Sequence, residues 1–188
     1  GGGSALDVGK MAAFMVGQNR PMWDFEDIGD WWKRANTDGV VPVVAVPTTA
    51  GTGSEVSRSA VATNEIEGRK VIIFHPAMLP AQVIADPELS VAMPRSITVG
   101  TGFDALAHNL EAICSPTFHP MAEAIGMEGS RLVLEYLPRV VADPEDLQGR
   151  TGMLVAASMG AVAFQKGLGA MHALAHPIGA AFDTHHGT

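Results

Sequence analysis

The rhythm of apolar and polar positions changes once along the chain. Up to about residue 92, short strand-like runs such as "VPVVAVP" and "AQVIAD" alternate with glycine turns and helical stretches. The pattern predicts a helix over 4–16, a second helix around "FEDIGDWWKR", a buried strand over 41–46, and strands near 58–63, 70–75 and 81–86. Such alternation favours a layered α/β sheet. From Pro94 onward the spacing is helical nearly to the end, in "ITVGTGFDALAHNLEAIC", "HPMAEAIGMEGSRLVLEYL", "PEDLQGRTGMLVAASMGAVAFQ" and "GAMHALAHPIGAA", with Pro116, Pro120, Pro138 and Pro144 near the breaks. Two domains follow, an α/β part over 1–92 and an all-helical part over 93–188.

Composition narrows the function classes. The 188 residues are 47% hydrophobic and 17% charged, ordinary for a globular protein and enough to bury a sizeable core. Lys and Arg number 12 against 20 for Asp and Glu, a net charge of −8, and no basic run appears. This argues against nucleic acid and anionic membrane surfaces as partners. A single cysteine, Cys114, excludes an internal disulfide and any multi-cysteine zinc site, which points to a cytoplasmic protein whose metal would use histidine and carboxylate. The run "MLVAASMGAVAF" is about half of what spans a bilayer and reads as a buried helix. The chain opens at "GGGS" and stops at "HHGT" without a targeting peptide, and we expect it to be an internal fragment, truncated at both ends.

Two glycine-rich loops offer nucleotide chemistry. In "GGGSALDVGK", three glycines precede Ser4 and Asp7, an S-x-x-D spacing suited to capping a helix, so backbone N–H groups converge at a positive helix end. The loop reads either as a phosphate cradle or as a plain turn before a helix. The second, "PTTAGTGSE" at 47–55, follows the buried strand with hydroxyls and amides that suit a ribose or pyrophosphate, or else a solvated turn. Asp86, before Pro87, reads as a cap of the helix that follows.

The histidines point to a metal. "DALAH" places Asp104 and His108 four residues apart on one helix face, and "HALAH" repeats the spacing at His172 and His176. A buried histidine is commonly satisfied by a backbone carbonyl, but a carboxylate and several imidazoles on alanine-rich helices suit a divalent zinc or iron(II) ion with a position left open.

Five motifs in order, "GGGSALDVGK", "VPTTAGTGSE", "IADPELSVAMP", "TGFDALAHNLEA" and "GAMHALAHPIGAAFDTHHG", resemble those of the iron-containing (group III) alcohol dehydrogenases, and the resemblance runs from the first residue to the last. It implies an α/β N-terminal dinucleotide-binding part followed by an all-α metal-binding part, a dehydroquinate synthase-like architecture. It further implies hydride transfer between small alcohols or aldehydes and NAD or NADP, with Fe(2+) or Zn(2+), in a protein that is a homo-oligomer at full length. By the same resemblance Asp104, His108, His172 and His186 would be the metal ligands, His185 the runner-up to His186, and His176 a site-lining residue able to pass a proton. Gly2, Gly3 and Ser4 would hold the pyrophosphate, with Asp7 near the loop of this cofactor site. Thr48, Thr49 and Thr52 would approach phosphate, ribose and nicotinamide, Lys70 the nicotinamide ribose, and Leu89 would pack on the cofactor. Two alternatives stay open: a relative on the same architecture, of glycerol dehydrogenase or dehydroquinate synthase type, and a fragment that binds metal or nucleotide without turnover.

Overall fold

The computed structural model describes residues 1–167 and 169–182. The chain forms two compact units, one of Gly1–Val46 with Ser54–Ile84, the other of Pro47–Gly53 with Ala85–Thr188. The second thus takes in a short segment that no single division of the chain could give it.

In the first unit, helix α1 (Gly3–Met15) buries Lys10, Met11 and Phe14, spaced for one face. The chain before it does not form the expected cap. Gly2 is the N-cap, in extended conformation and without a side-chain bond, and Ser4 lies inside the helix. Asp7 is drawn elsewhere: its Oδ1 accepts from Ser54 Oγ at 2.6 Å and its Oδ2 from the Val61 N–H at 2.9 Å, with Lys10 Nζ 3.3 Å away. Charge-assisted bonds of this kind outweigh a local cap. The helix expected around "FEDIGDWWKR" is instead two single 3-10 turns, Met22–Phe25 and Trp31–Arg34. Between them Gly29 stands at φ +51, which no α-helix accommodates.

Strand β1 (Val44–Ala45) is shorter than the expected 41–46 and only partly buried, Val44 being 56% exposed. Pro42 and Pro47 flank it and cannot donate to a ladder. β2 (Ser59–Asn64) and β3 (Arg69–Phe74) form an antiparallel hairpin, turned at Gly68 with φ +63, while β1 pairs in parallel with β4 (Gln82–Val83). Phe14, Phe25, Ala60, Val71, Ile73 and Met78 close the core between α1 and the hairpin. Asp86 caps the 3-10 turn Pro87–Ser90 as expected, accepting from the Glu88 N–H at 3.0 Å.

The second unit is helical: α2 (Arg95–Cys114), α3 (Pro120–Ala142), α4 (Leu147–Ala163) and α5 (Ala170–Phe182). Pro138 does not break α3. It sits on the exposed side, where the carbonyl it frees can meet water, while Leu137 and Val140 anchor the helix on its buried side. The core of Ala105, Val133, Leu137, Val140, Met153, Leu154, Ala156 and Ala157 is poor in bulk. Helix backbones therefore approach closely. Ala50 joins this core, Gly51 lies against Thr101, and Gly53, at φ +60, lies against Ala157 and Ala161. The α4 run is apolar but not wholly buried, with Val155 and Val162 partly exposed. Among the described residues no helix is long and apolar enough to cross a membrane.

Candidate metal centre

Helix periodicity brings the first pair together. Asp104 and His108, one turn apart on α2, are 2% and 5% exposed, and Asp104 Oδ1 stands 3.6 Å from His108 Nε2. From α5 comes His172, 8% exposed, with its Nε2 3.5 Å from the same oxygen. The imidazoles of His108 and His172 stack at 4.6 Å between centroids and 16° between planes, and Phe164 covers His108 at 5.0 Å.

These separations fit a shared ion better than hydrogen bonds. Ordinary N–H···O contacts run about 2.7–3.2 Å, whereas atoms bound at about 2.0–2.2 Å to one tetrahedral ion stand about 3.3–3.6 Å apart. One ligand atom from each of Asp104, His108 and His172 lies within 4.8 Å of the others. A buried carboxylate and two imidazoles form a donor set suited to zinc or iron(II).

A fourth group supports His172 from behind. Glu111, buried one turn beyond His108 on α2, accepts the N–H groups of Met171 at 2.7 Å and His172 at 3.2 Å on Oε1, and its Oε2 meets His172 Nδ1. Burial pushes the Glu111 carboxyl up, but its hydrogen bonds from the His172 side chain and backbone outweigh this and hold it below the usual carboxylate range. Burial likewise disfavours charge on His172, yet the Asp104 and Glu111 carboxylates hold that imidazole above its usual value. Glu111 is not among the residues the motifs single out, although the spacing 104, 108, 111 marks one helix face.

The other expected residues are dispersed by element. Gly2 is the N-cap of α1 and Gly3 its first residue, Ser4 and Asp7 lie within it, and Lys70 is half-buried in β3 opposite Thr63. Thr48, Thr49 and Thr52 are half-buried in the Pro47–Gly53 segment, and Leu89 is 48% exposed in the turn after Asp86. His176 belongs to α5, but its side chain lies outside the described residues, as do His185 and His186 entirely.

A family model for iron-containing alcohol dehydrogenase matches residues 1–87, and the C-terminal model of the Fe-containing alcohol dehydrogenase family matches 98–188. A 4-hydroxybutyrate dehydrogenase from Cupriavidus necator is 38% identical across 100% of this chain and 50% of its own length. An NAD-dependent methanol dehydrogenase from Bacillus methanolicus is 37% identical across 100% of this chain and 48% of its own. The crystal structure of a sulfoacetaldehyde reductase from Bifidobacterium kashiwanohense in complex with NAD+ superimposes with a TM-score of 0.90 at 34% identity, covering 99% of this chain and 49% of that one. The chain therefore spans about half the length of the curated relatives it matches. With both halves of the sequence matched and a buried Asp-His-His cluster on its helices, the chain belongs to the iron-containing alcohol dehydrogenase family.

Proposed function

We propose that this chain carries the cofactor and metal machinery of a metal-dependent NAD(P) oxidoreductase that interconverts small alcohols and aldehydes by hydride transfer. The carrying observation is the convergence of Asp104, His108 and His172 in one buried cluster. Relatives named as methanol and 4-hydroxybutyrate dehydrogenases, and a structural neighbour solved with NAD+, support the same chemistry. In this reading residues 1–92 bind dinucleotide and residues 93–188 bind metal, on a dehydroquinate synthase-like architecture, in a cytoplasmic homo-oligomer.

Asp104, His108, His172 and His186 would hold ferrous iron, or zinc in its place. A divalent ion held there supplies a Lewis acid that favours the ionised form of an alcohol. The chain's own residues bind and orient. Gly2, Gly3 and Ser4 receive the pyrophosphate, with Asp7 near that loop holding Ser54, Val61 and Lys10 in place, and Thr48, Thr49, Thr52, Lys70 and Leu89 guide the ribose and nicotinamide. His176 conducts the hydroxyl proton away.

The test is metal analysis paired with NADH fluorescence titration of the purified chain. Stoichiometric iron or zinc, lost in Asp104→Asn and in His186→Ala but retained in His185→Ala, is the expected result. Gly3→Val should abolish NADH binding with metal content unchanged, because a branched side chain there blocks backbone approach to phosphate. Equal metal content in wild type and Asp104→Asn would remove the metal centre from this account.

A further inference from the structure

Glu111 has two oxygens and uses them for different things. Oε1 accepts the N–H groups of Met171 and His172, in the first turn of α5, where amides have no carbonyl partner within the helix. Oε2 meets the ring Nδ1 of His172. An ionised carboxylate can only accept, so the proton of a neutral His172 belongs on Nδ1 and the lone pair on Nε2. Nε2 is the atom that stands 3.5 Å from Asp104 Oδ1.

We propose that Glu111 is a positioning residue of the metal centre: it fixes His172 in the Nδ1–H form, fastens the first turn of α5 to α2, and so presents Nε2 as a ready electron-pair donor beside Asp104 and His108. This rests on the metal reading above. Nothing in the arrangement requires Glu111 to touch the ion. Its work is done in advance, because a ring that is free to rotate or to change tautomer offers the wrong atom part of the time. A carboxylate on the far nitrogen also makes the near one more basic, and removing such a partner costs about 10–100-fold in metal affinity.

Glu111→Gln separates the two duties with little change in volume. A carboxamide that keeps its oxygen on the α5 amides turns its NH2 group toward Nδ1. The ring must then accept there and carry its proton on Nε2, which removes the donor pair. A carboxamide turned the other way sets N–H against the α5 amides.

The experiment is cobalt(II) titration of the full chain by its visible d–d absorption, against a competing chelator, for wild type, Asp104→Asn, Glu111→Gln and Glu111→Asp. The expected result is tight binding by wild type, loss in Asp104→Asn, weakening of about 10–100-fold with a shifted band in Glu111→Gln, and partial recovery in the charge-retaining Glu111→Asp. Wild-type affinity and band in Glu111→Gln would overturn the positioning role while leaving the metal centre standing. Equal binding by wild type and Asp104→Asn would overturn the metal centre and the inference with it. A residue that only capped α5 would lower the unfolding midpoint without altering the affinity of folded protein. Should Glu111→Gln fail to fold, ring 15N shifts of metal-free wild type at a pH where His172 is neutral decide the matter. Protonation at Nδ1 upholds the proposal, and protonation at Nε2 refutes it.

Discussion

The side-chain amide of Asn109 donates to the carbonyl of Ala156, Nδ2 to oxygen 3.1 Å, and so ties α2 to α4 one residue away from His108. The same nitrogen reaches the Ala105 carbonyl at 2.8 Å, and the residue is wholly buried. Room for it comes from Gly160, where an added methyl would stand 2.8 Å from Asn109 Nδ2 and 3.0 Å from His108 Cβ. Gly160→Ala should therefore destabilise the helical unit by about 1–3 kcal/mol through overpacking, and it should lower metal retention as His108 is displaced. Thermal unfolding and metal analysis of the variant check both. At Gly9, where an added Cβ meets nothing within 4 Å, alanine should be neutral or mildly stabilising.

Asp7 joins α1 to β2 and to the segment after Gly53, bonding the Ser54 hydroxyl and the Val61 N–H beside the Lys10 ammonium. Asp7→Ala leaves that amide without its acceptor and the buried Lys10 without its ion-pair partner, though Lys10 keeps the carbonyls of Ser54 and Ser59 and the more distant Glu55 charge. The expected loss is about 1–3 kcal/mol in urea unfolding, smaller for Asp7→Asn, which can still accept. An unchanged midpoint in Asp7→Ala would mean these bonds contribute nothing net.

His75 is buried against Phe14 and Trp32, and its Nδ1 accepts the Ala77 N–H at 3.0 Å. Burial pushes its imidazole below the usual histidine value. Between the two values the unfolded chain binds a proton that the folded chain does not, so this stabilising contribution is present above the ordinary value and is lost as pH falls. The unfolding midpoint should hold above about pH 6.5 and fall as pH is lowered below it. His75→Asn, which can keep the cap without titrating, should flatten that slope; an unaltered slope would exonerate His75.

Much of this arrangement is legible along the chain, and the rest is not for stateable reasons. The spacing of Asp104 and His108 is a property of any helix, so periodicity alone brings them side by side. The pairing of His172 with them depends on how α5 meets α2, which local pattern does not encode and the family resemblance supplied. Glu111 is not legible in the same way, because a glutamate on a helix ordinarily faces solvent, and the amides at the start of α5 account for its burial. "FEDIGDWWKR" has helical composition, but the positive φ at Gly29 decides its path. The change of pattern near residue 92 places the segment Pro47–Gly53 in the first domain. Its glycines instead fit the crowded backbones of α2 and α4.

That segment makes the helical unit discontinuous. The chain passes between units after Val46, after Gly53 and after Ile84, so a piece beginning at Ala85 carries every proposed metal ligand but leaves Ala50, Gly51 and Gly53 behind. Ala50 belongs to the same core as Ala105 and Met153. The helical half is for this reason no interchangeable cassette: recombination between relatives at a single crossover near residue 85 would join helices from one parent to a loop from another. Whatever change one parent has accepted at Thr101, Ala157 or Ala161, the residues that meet Gly51 and Gly53, would then have to suit a loop that never evolved beside it.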